Sequence, residues 1–209
     1  KKIKQKIIYN TLITNTNTLI MKQIKTIAIA LLVVFSAATA TAQTKKVDVT
    51  KSTINWVGKK VTGKHEGTVS LKEGSLTFKK NVLAGGTFTV NMNSITVTDL
   101  KAGEGKEKLE GHLKNDDFFG IDKYPTSKLD FKTVKANGAN KYTVTGNLTI
   151  KDKTNPITFD LVVNGNTATT KLVVDRAKYD VKYNSTSFFD SLGDKAIYDD
   201  FELEVTLQF

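Results

Sequence analysis

The chain of 209 residues contains no cysteine. Disulfides, thiolate nucleophiles, cysteine zinc sites and a cysteine-linked lipid anchor are therefore excluded. Two histidines, His65 and His112, are too few for a multi-histidine metal site. No G-x-S-x-G nucleophile elbow occurs, no serine has a distinctive context, and the acid spacings do not match an EF-hand loop. The apolar stretch over residues 27–38 is twelve long, short of the roughly 20 residues that a spanning helix needs. Acids are missing from residues 1–42, which carry six lysines. That segment accounts for more than half of the formal charge of +10, and residues 43–209 carry only +4. Nucleic acid is therefore not expected as a partner.

From Met21 the chain has the three parts of an export signal. Lys22 and Lys25 make a basic start, residues 27–38 an apolar stretch, and Ala40-Thr41-Ala42 a small-x-small cleavage site. Residues 1–20 have no Met and consist largely of Ile, Lys, Asn and Thr. They read as an over-extended gene start, residues 21–42 as a cleaved signal peptide, and residues 43–209 as one mature domain, periplasmic or secreted. A domain of that size buries about 70% of its unfolded surface.

Period-two alternation dominates the mature sequence and marks half-buried strands. Phe88, Val90 and Met92 alternate with polar residues, as do Leu129 and Phe131, then Tyr142, Val144, Leu148 and Ile150. Ile157, Phe159, Leu161 and Val163 share a face, as do Phe201, Leu203, Val205, Leu207 and Phe209. Ile54 with Trp56 and Leu76 with Phe78 repeat the pattern more briefly. Asn137-Gly138 and Asn164-Gly165 are hairpin signals, because both residue types tolerate positive φ. About eight strands with one apolar face predict an all-β, antiparallel closed barrel, a two-sheet sandwich being the alternative. Residues 104–115 break the alternation. Leu109 and Leu113 predict a short amphipathic helix there, weakened by Gly105 and Gly111.

The expected apolar face comprises Trp56, Phe88, Val90, Met92, Phe131, Val144, Leu148, Phe159, Leu161, Leu172 and Val174. In a small barrel such residues either fill the interior or surround one lipophilic ligand. Alternation does not choose, and it leaves open an outer-membrane barrel with the apolar face turned to lipid. Arg176 is the single arginine. A planar five-donor fork in a lysine-rich chain points either to head-group recognition at a barrel rim or to a structural ion pair that locks loops.

Several segments together resemble the YceI-like family of periplasmic polyisoprenoid-binding proteins. HLKNDDFFGIDKYPTSKLDF from His112 to Phe131 matches a helix end, an Asp-Phe-Phe turn, Tyr-Pro and a returning strand. GNLTIKDKTNPITFDL from Gly146 to Leu161 matches a paired-strand hairpin. VDRAKYDVKY carries Arg176, with Tyr179-Asp180 where the family commonly has an aromatic-Gly pair. GDKAIYDDFELEVTL matches the last loop and strand. The resemblance implies a lipocalin-like barrel with an apolar tunnel lined by the residues named above, and with His112, Phe118, Phe119 and Arg176 nearer one end. It implies a bound long-chain lipid (an isoprenoid quinone, prenyl phosphate or fatty amide); with the residue types counted above, no other cofactor, no metal and no catalytic residue are expected. Transient membrane contact is compatible with it, and the oligomeric state stays open, a homodimer included. A filled-core interaction or stress domain is the remaining alternative.

Overall fold

The computed structural model describes residues 2–6, 9–17, 21 and 41–209. The chain divides into two units, Lys1–Thr41 and Ala42–Phe209. In the first, residues 2–6 and 9–17 are helical and exposed. Lys22, Lys25 and residues 27–38, the basic and apolar parts of the expected signal, lie outside the described residues. Among those described, no helix is long and apolar enough to cross a membrane.

The second unit contains nine strands: β1 (Gln43–Lys46), β2 (Thr53–Lys60), β3 (Gly63–Lys79), β4 (Val82–Val97), β5 (Thr126–Ala136), β6 (Lys141–Ile150), β7 (Lys153–Asn164), β8 (Thr167–Asp175) and β9 (Ile197–Gln208). A helix, α1 (Lys106–Lys114), lies between β4 and β5. Each of β2 to β9 pairs antiparallel with the next, and β2 pairs with β9, which closes eight strands into a barrel. The sandwich alternative is thereby set aside. β1 pairs with β3 beyond the end of β2, so the two act as one interrupted strand. Both expected hairpins form: Gly138 and Gly165 adopt φ of 109° and 60°, values open to glycine at little steric cost.

The apolar faces point inward. On β6 Tyr142, Val144, Gly146, Leu148 and Ile150 are buried while the polar residues that alternate with them, Thr143, Thr145, Asn147 and Thr149, are half-buried. The outer surface carries Lys171–Glu204 at 3.1 Å, the Lys59–Glu202 ion pair, and hydroxyl contacts such as Thr145–Thr158 at 3.0 Å. A membrane barrel would turn an apolar band to lipid on that side. The polar outer face fits a barrel surrounded by water.

β3 and β4 are the longest strands, and bulges between Thr68 and Ser70 and between Leu71 and Glu73 bend them. Gly67 sits at the tightest approach. A Cβ built there would lie 1.9 Å from the Thr96 carbonyl oxygen and 2.5 Å from the Trp56 ring. Gly67→Ala is accordingly expected to destabilise the domain by about 1–3 kcal/mol through overpacking. A fall in the urea midpoint at unchanged m-value checks this.

α1 is narrower than the expected helix. Gly105 with φ 100° forms its N-cap and Asn115 its C-cap. Glu110 on α1 accepts hydrogen bonds from the Thr96 hydroxyl (2.5 Å) and the Val97 N–H (2.9 Å). These hold its carboxyl below the usual range. They fix the helix on the end of β4, so that Leu113 is buried against the barrel.

Candidate functional site

Alternating connections place the β3–β4, β5–β6 and β7–β8 hairpins at one end of the barrel, and α1 and the 176–196 loop at the other. The hairpin end is solid: Leu76, Val144 and Ala168 are wholly buried and Leu83 is 3% exposed. Toward the α1 end the interior opens into a cavity of about 180 Å³. Val90, Leu129, Phe131, Phe201, Leu203 and Val205 all line it and are only half-buried. Inward side chains are half-buried in this way when the barrel around them is unfilled.

The lining is overwhelmingly apolar. Of the expected face, β2 contributes Trp56, β4 Phe88, Val90 and Met92, β5 Phe131, and β6 Leu148; β7 contributes Phe159 and Leu161, and β8 Leu172. Phe131 stands at the centre of an aromatic row, its ring centroid 5.5 Å from that of Phe88 and 5.8 Å from that of Phe159. Val144 and Val174 do not line the cavity. Both are buried, at 0% and 1% exposure, in the solid packing around it, Val144 opposite Val134 and Phe159 and Val174 opposite Phe201. Other walls come from residues outside the expected lining: Val69 and Leu71 on β3, Leu113 on α1, and Phe201, Leu203, Val205 and Leu207 on β9. The apolar face of β9 is plain in the sequence, and that alternation is the signal that identifies it.

Phe118 and Phe119 follow α1, are buried, and line the cavity at its upper end. Their rings pack edge-on with centroids 5.0 Å apart, and Phe119 also meets Phe201 at 6.5 Å. His112 is at the same end but outside the lining. Its ring packs on Tyr183 at 4.3 Å and on Phe118 at 5.7 Å, and its Nδ1 lies 4.0 Å from Asp117.

Arg176 lines the cavity and is 2% exposed. Its donors go to backbone carbonyls. Nε donates to the Tyr198 carbonyl (3.2 Å), Nη1 to Val181 and Tyr183 (both 2.9 Å), and Nη2 to Ile197 (2.9 Å). The Asp199 carboxylate lies 3.3 Å from Nη2, and the Phe118 ring 5.6 Å from the guanidinium carbon. Burial lowers the Arg176 pKa, opposed by Asp199 and Asp175. Burial likewise raises that of the neighbouring Tyr179 phenol, helped by Asp175. Held by four backbone hydrogen bonds, Arg176 is a clamp that ties the 181–183 turn to the start of β9. These bonds fit the loop-locking alternative, and Arg176 also lines the cavity toward the end where the sequence places it. Among the described residues, no three His, Asp or Glu side chains converge as a metal site would require.

A small closed antiparallel barrel, wrapped around an unfilled apolar cavity and covered at one end by a helix and an aromatic pair, defines a lipocalin-like barrel. Residues 46–209 match the YceI-like domain, and the chain belongs to the YceI-like family. A UPF0312 protein of Photorhabdus laumondii is 30% identical over 99 residues, which cover 47% of this chain and 48% of that protein. A UPF0312 protein of Staphylococcus aureus is 35% identical over 78 residues, covering 37% and 43%. The chain thus spans about half the length or less of the curated relatives it matches. Among solved structures, BcnA of Burkholderia cenocepacia superposes with a TM-score of 0.61 at 24% identity, covering 77% of this chain and 98% of that one. A polyisoprenoid-binding domain from Saccharophagus degradans, implicated in plant cell wall breakdown, superposes with a TM-score of 0.53 at 15% identity, covering 78% and 95%. At these identities the likeness is one of fold.

Proposed function

We propose that this chain is an exported, water-soluble binding protein that sequesters or carries a long-chain amphiphilic lipid, a polyisoprenoid or a chain of similar character. The observation that carries this reading is the unfilled apolar cavity inside a barrel whose outer face is polar. Each CH₂ moved from water into such a lining contributes about 0.8 kcal/mol, so affinity accrues along the chain without a head-group contact. The polyisoprenoid-binding domain of the same fold lends the ligand class. At about 180 Å³ the cavity is small beside the roughly 300–1,000 Å³ of pockets that enclose drug-sized ligands. A long chain would therefore be taken up segment by segment, with the surrounding side chains giving way.

The test is expression of the full chain in a bacterial host, recovery from the extracytoplasmic fraction without detergent, solvent extraction and mass spectrometry of bound lipid. A stoichiometric long-chain isoprenoid or amide is expected, on a protein whose N-terminus is Gln43. An empty protein that also refuses added prenyl lipid would overturn the carrier reading. A product found only in detergent extracts of the membrane fraction would overturn the soluble one.

A further inference from the structure

The barrel wall is not equally bonded all the way round. β6 and β7 are in register over their whole overlap, from Lys141↔Val162 to Ile150↔Lys153, and β8 and β9 from Thr167↔Gln208 to Asp175↔Asp200. Between β7 and β8 the ladder holds only three pairs, Val162↔Thr169, Val163↔Ala168 and Asn164↔Thr167, beside the hairpin turn. Above them the ladder stops. Side chains, not a ladder, bridge the gap: the Thr170 hydroxyl donates to the Asp160 carbonyl at 2.6 Å, and Asn155 Nδ2 donates to the carbonyl of Lys178, in the turn that follows β8, at 2.8 Å. Both edges of this seam belong to the cavity wall, Phe159 and Leu161 on one side and Thr170 and Leu172 on the other.

We infer that this seam is a lateral portal, through which an extended apolar chain slides sideways into the cavity. The inference rests on the lipid-binding reading and adds a ligand class: linear, flexible chains in preference to bulky fused rings. The free stretch of β8, residues 170–175, makes a slit of about 20 Å. Parting the edges there breaks side-chain hydrogen bonds but no ladder, whereas parting β6 from β7 would break a continuous one. The α1 end is covered by the Arg176 clamp and by buried Leu113, Phe118, Phe119 and Tyr179, beside which half-buried Gly58 and Ile197 and exposed Tyr198 also line the cavity. A second gap, between β4 and β5 below Thr87↔Asp130, is blocked by the Phe131 ring, 2.9 Å from where a Cβ on Gly86 would stand.

The absence of native cysteine makes the test clean. Thr158 and Val173 are exposed and would face each other if the β7–β8 register continued. In the full chain, Thr158→Cys with Val173→Cys is joined by a short bis-maleimide. Uptake of parinaric acid, a fluorescent linear polyene, is followed by stopped flow. Release to phosphatidylcholine vesicles is followed from protein loaded before bridging, so that a bridged form that refolds poorly still reports. Uptake and release slowed at least roughly tenfold, with the singly substituted, mono-maleimide-capped proteins at the unmodified rate, is the expected result. Bridged protein that exchanges at the unmodified rate overturns the portal and leaves the binding reading standing. Unmodified protein that takes up no probe overturns the binding reading, and the portal with it.

Discussion

Arg176→Ala is expected to lower the melting temperature by roughly 6–20 °C, which corresponds to about 3–5 kcal/mol for removing one partner of a buried ion pair in a domain of this size. Four backbone carbonyls, those of Tyr198, Val181, Tyr183 and Ile197, lose their donor at once. The Asp199 carboxylate, 16% exposed, loses its cation. Arg176→Lys should recover little of the loss, because one ammonium cannot reach carbonyls from both the 181–183 turn and the start of β9. Differential scanning calorimetry of the two variants checks this. A melting temperature unchanged in Arg176→Ala would mean that the loop is held by something other than the clamp. Ligand binding supplies a second readout: a locking role predicts equal loss for charged and uncharged lipids.

Val205→Trp should abolish lipid uptake while leaving the fold intact. Val205 faces inward from β9 between Ile54 on β2 and Thr170 on β8, all three lining the cavity, and it is only half-buried. An indole there would occupy the space where about four or five methylenes would lie. At about 0.8 kcal/mol each, affinity falls by roughly 3–4 kcal/mol, or a factor of about 10²–10³. Stability should change by no more than about 1 kcal/mol, because the new ring fills existing space and displaces no packed side chain. Binding isotherms with a prenyl alcohol, measured beside the urea midpoint, separate the two effects. Undiminished affinity would place the ligand elsewhere.

Much of this architecture can be read directly from the amino acids. The even alternation on β6, β7 and β9 fixes which residues point inward, and the Asn-Gly pairs fix two of the hairpins. β3 is harder to read. Its buried residues run Val69, Leu71, then Leu76 and Phe78, because the bulge between Leu71 and Glu73 changes the phase of the alternation. A period-two pattern interrupted in this way looks like two fragments, so Val69 and Leu71 are missed as cavity residues. β4 hides Ile95 and Val97 for the same reason, its buried face changing phase after Met92. Val144 and Val174 show the complementary limit. Alternation says that they point inward, but not whether an inward side chain meets the cavity or a packed neighbour: their ladder partners Phe159 and Phe201 line the cavity, and they do not. Arg176 stands out in the sequence by its rarity, yet the carbonyls it serves are brought to it only by the tertiary fold.

The closure of the barrel also governs how the domain can form. Thr53 near the start of the domain pairs with Thr206 near its end. The ring therefore has no closed form until the last strand has been made, and until then β2 and β8 keep unpaired edges that can capture another chain. Contacts so distant in sequence place the domain among slow folders, on the millisecond-to-second scale, in which loop-closure entropy must be overcome before pairing stabilises the product. Truncation within β9 should consequently yield an aggregating chain instead of a slightly weakened barrel.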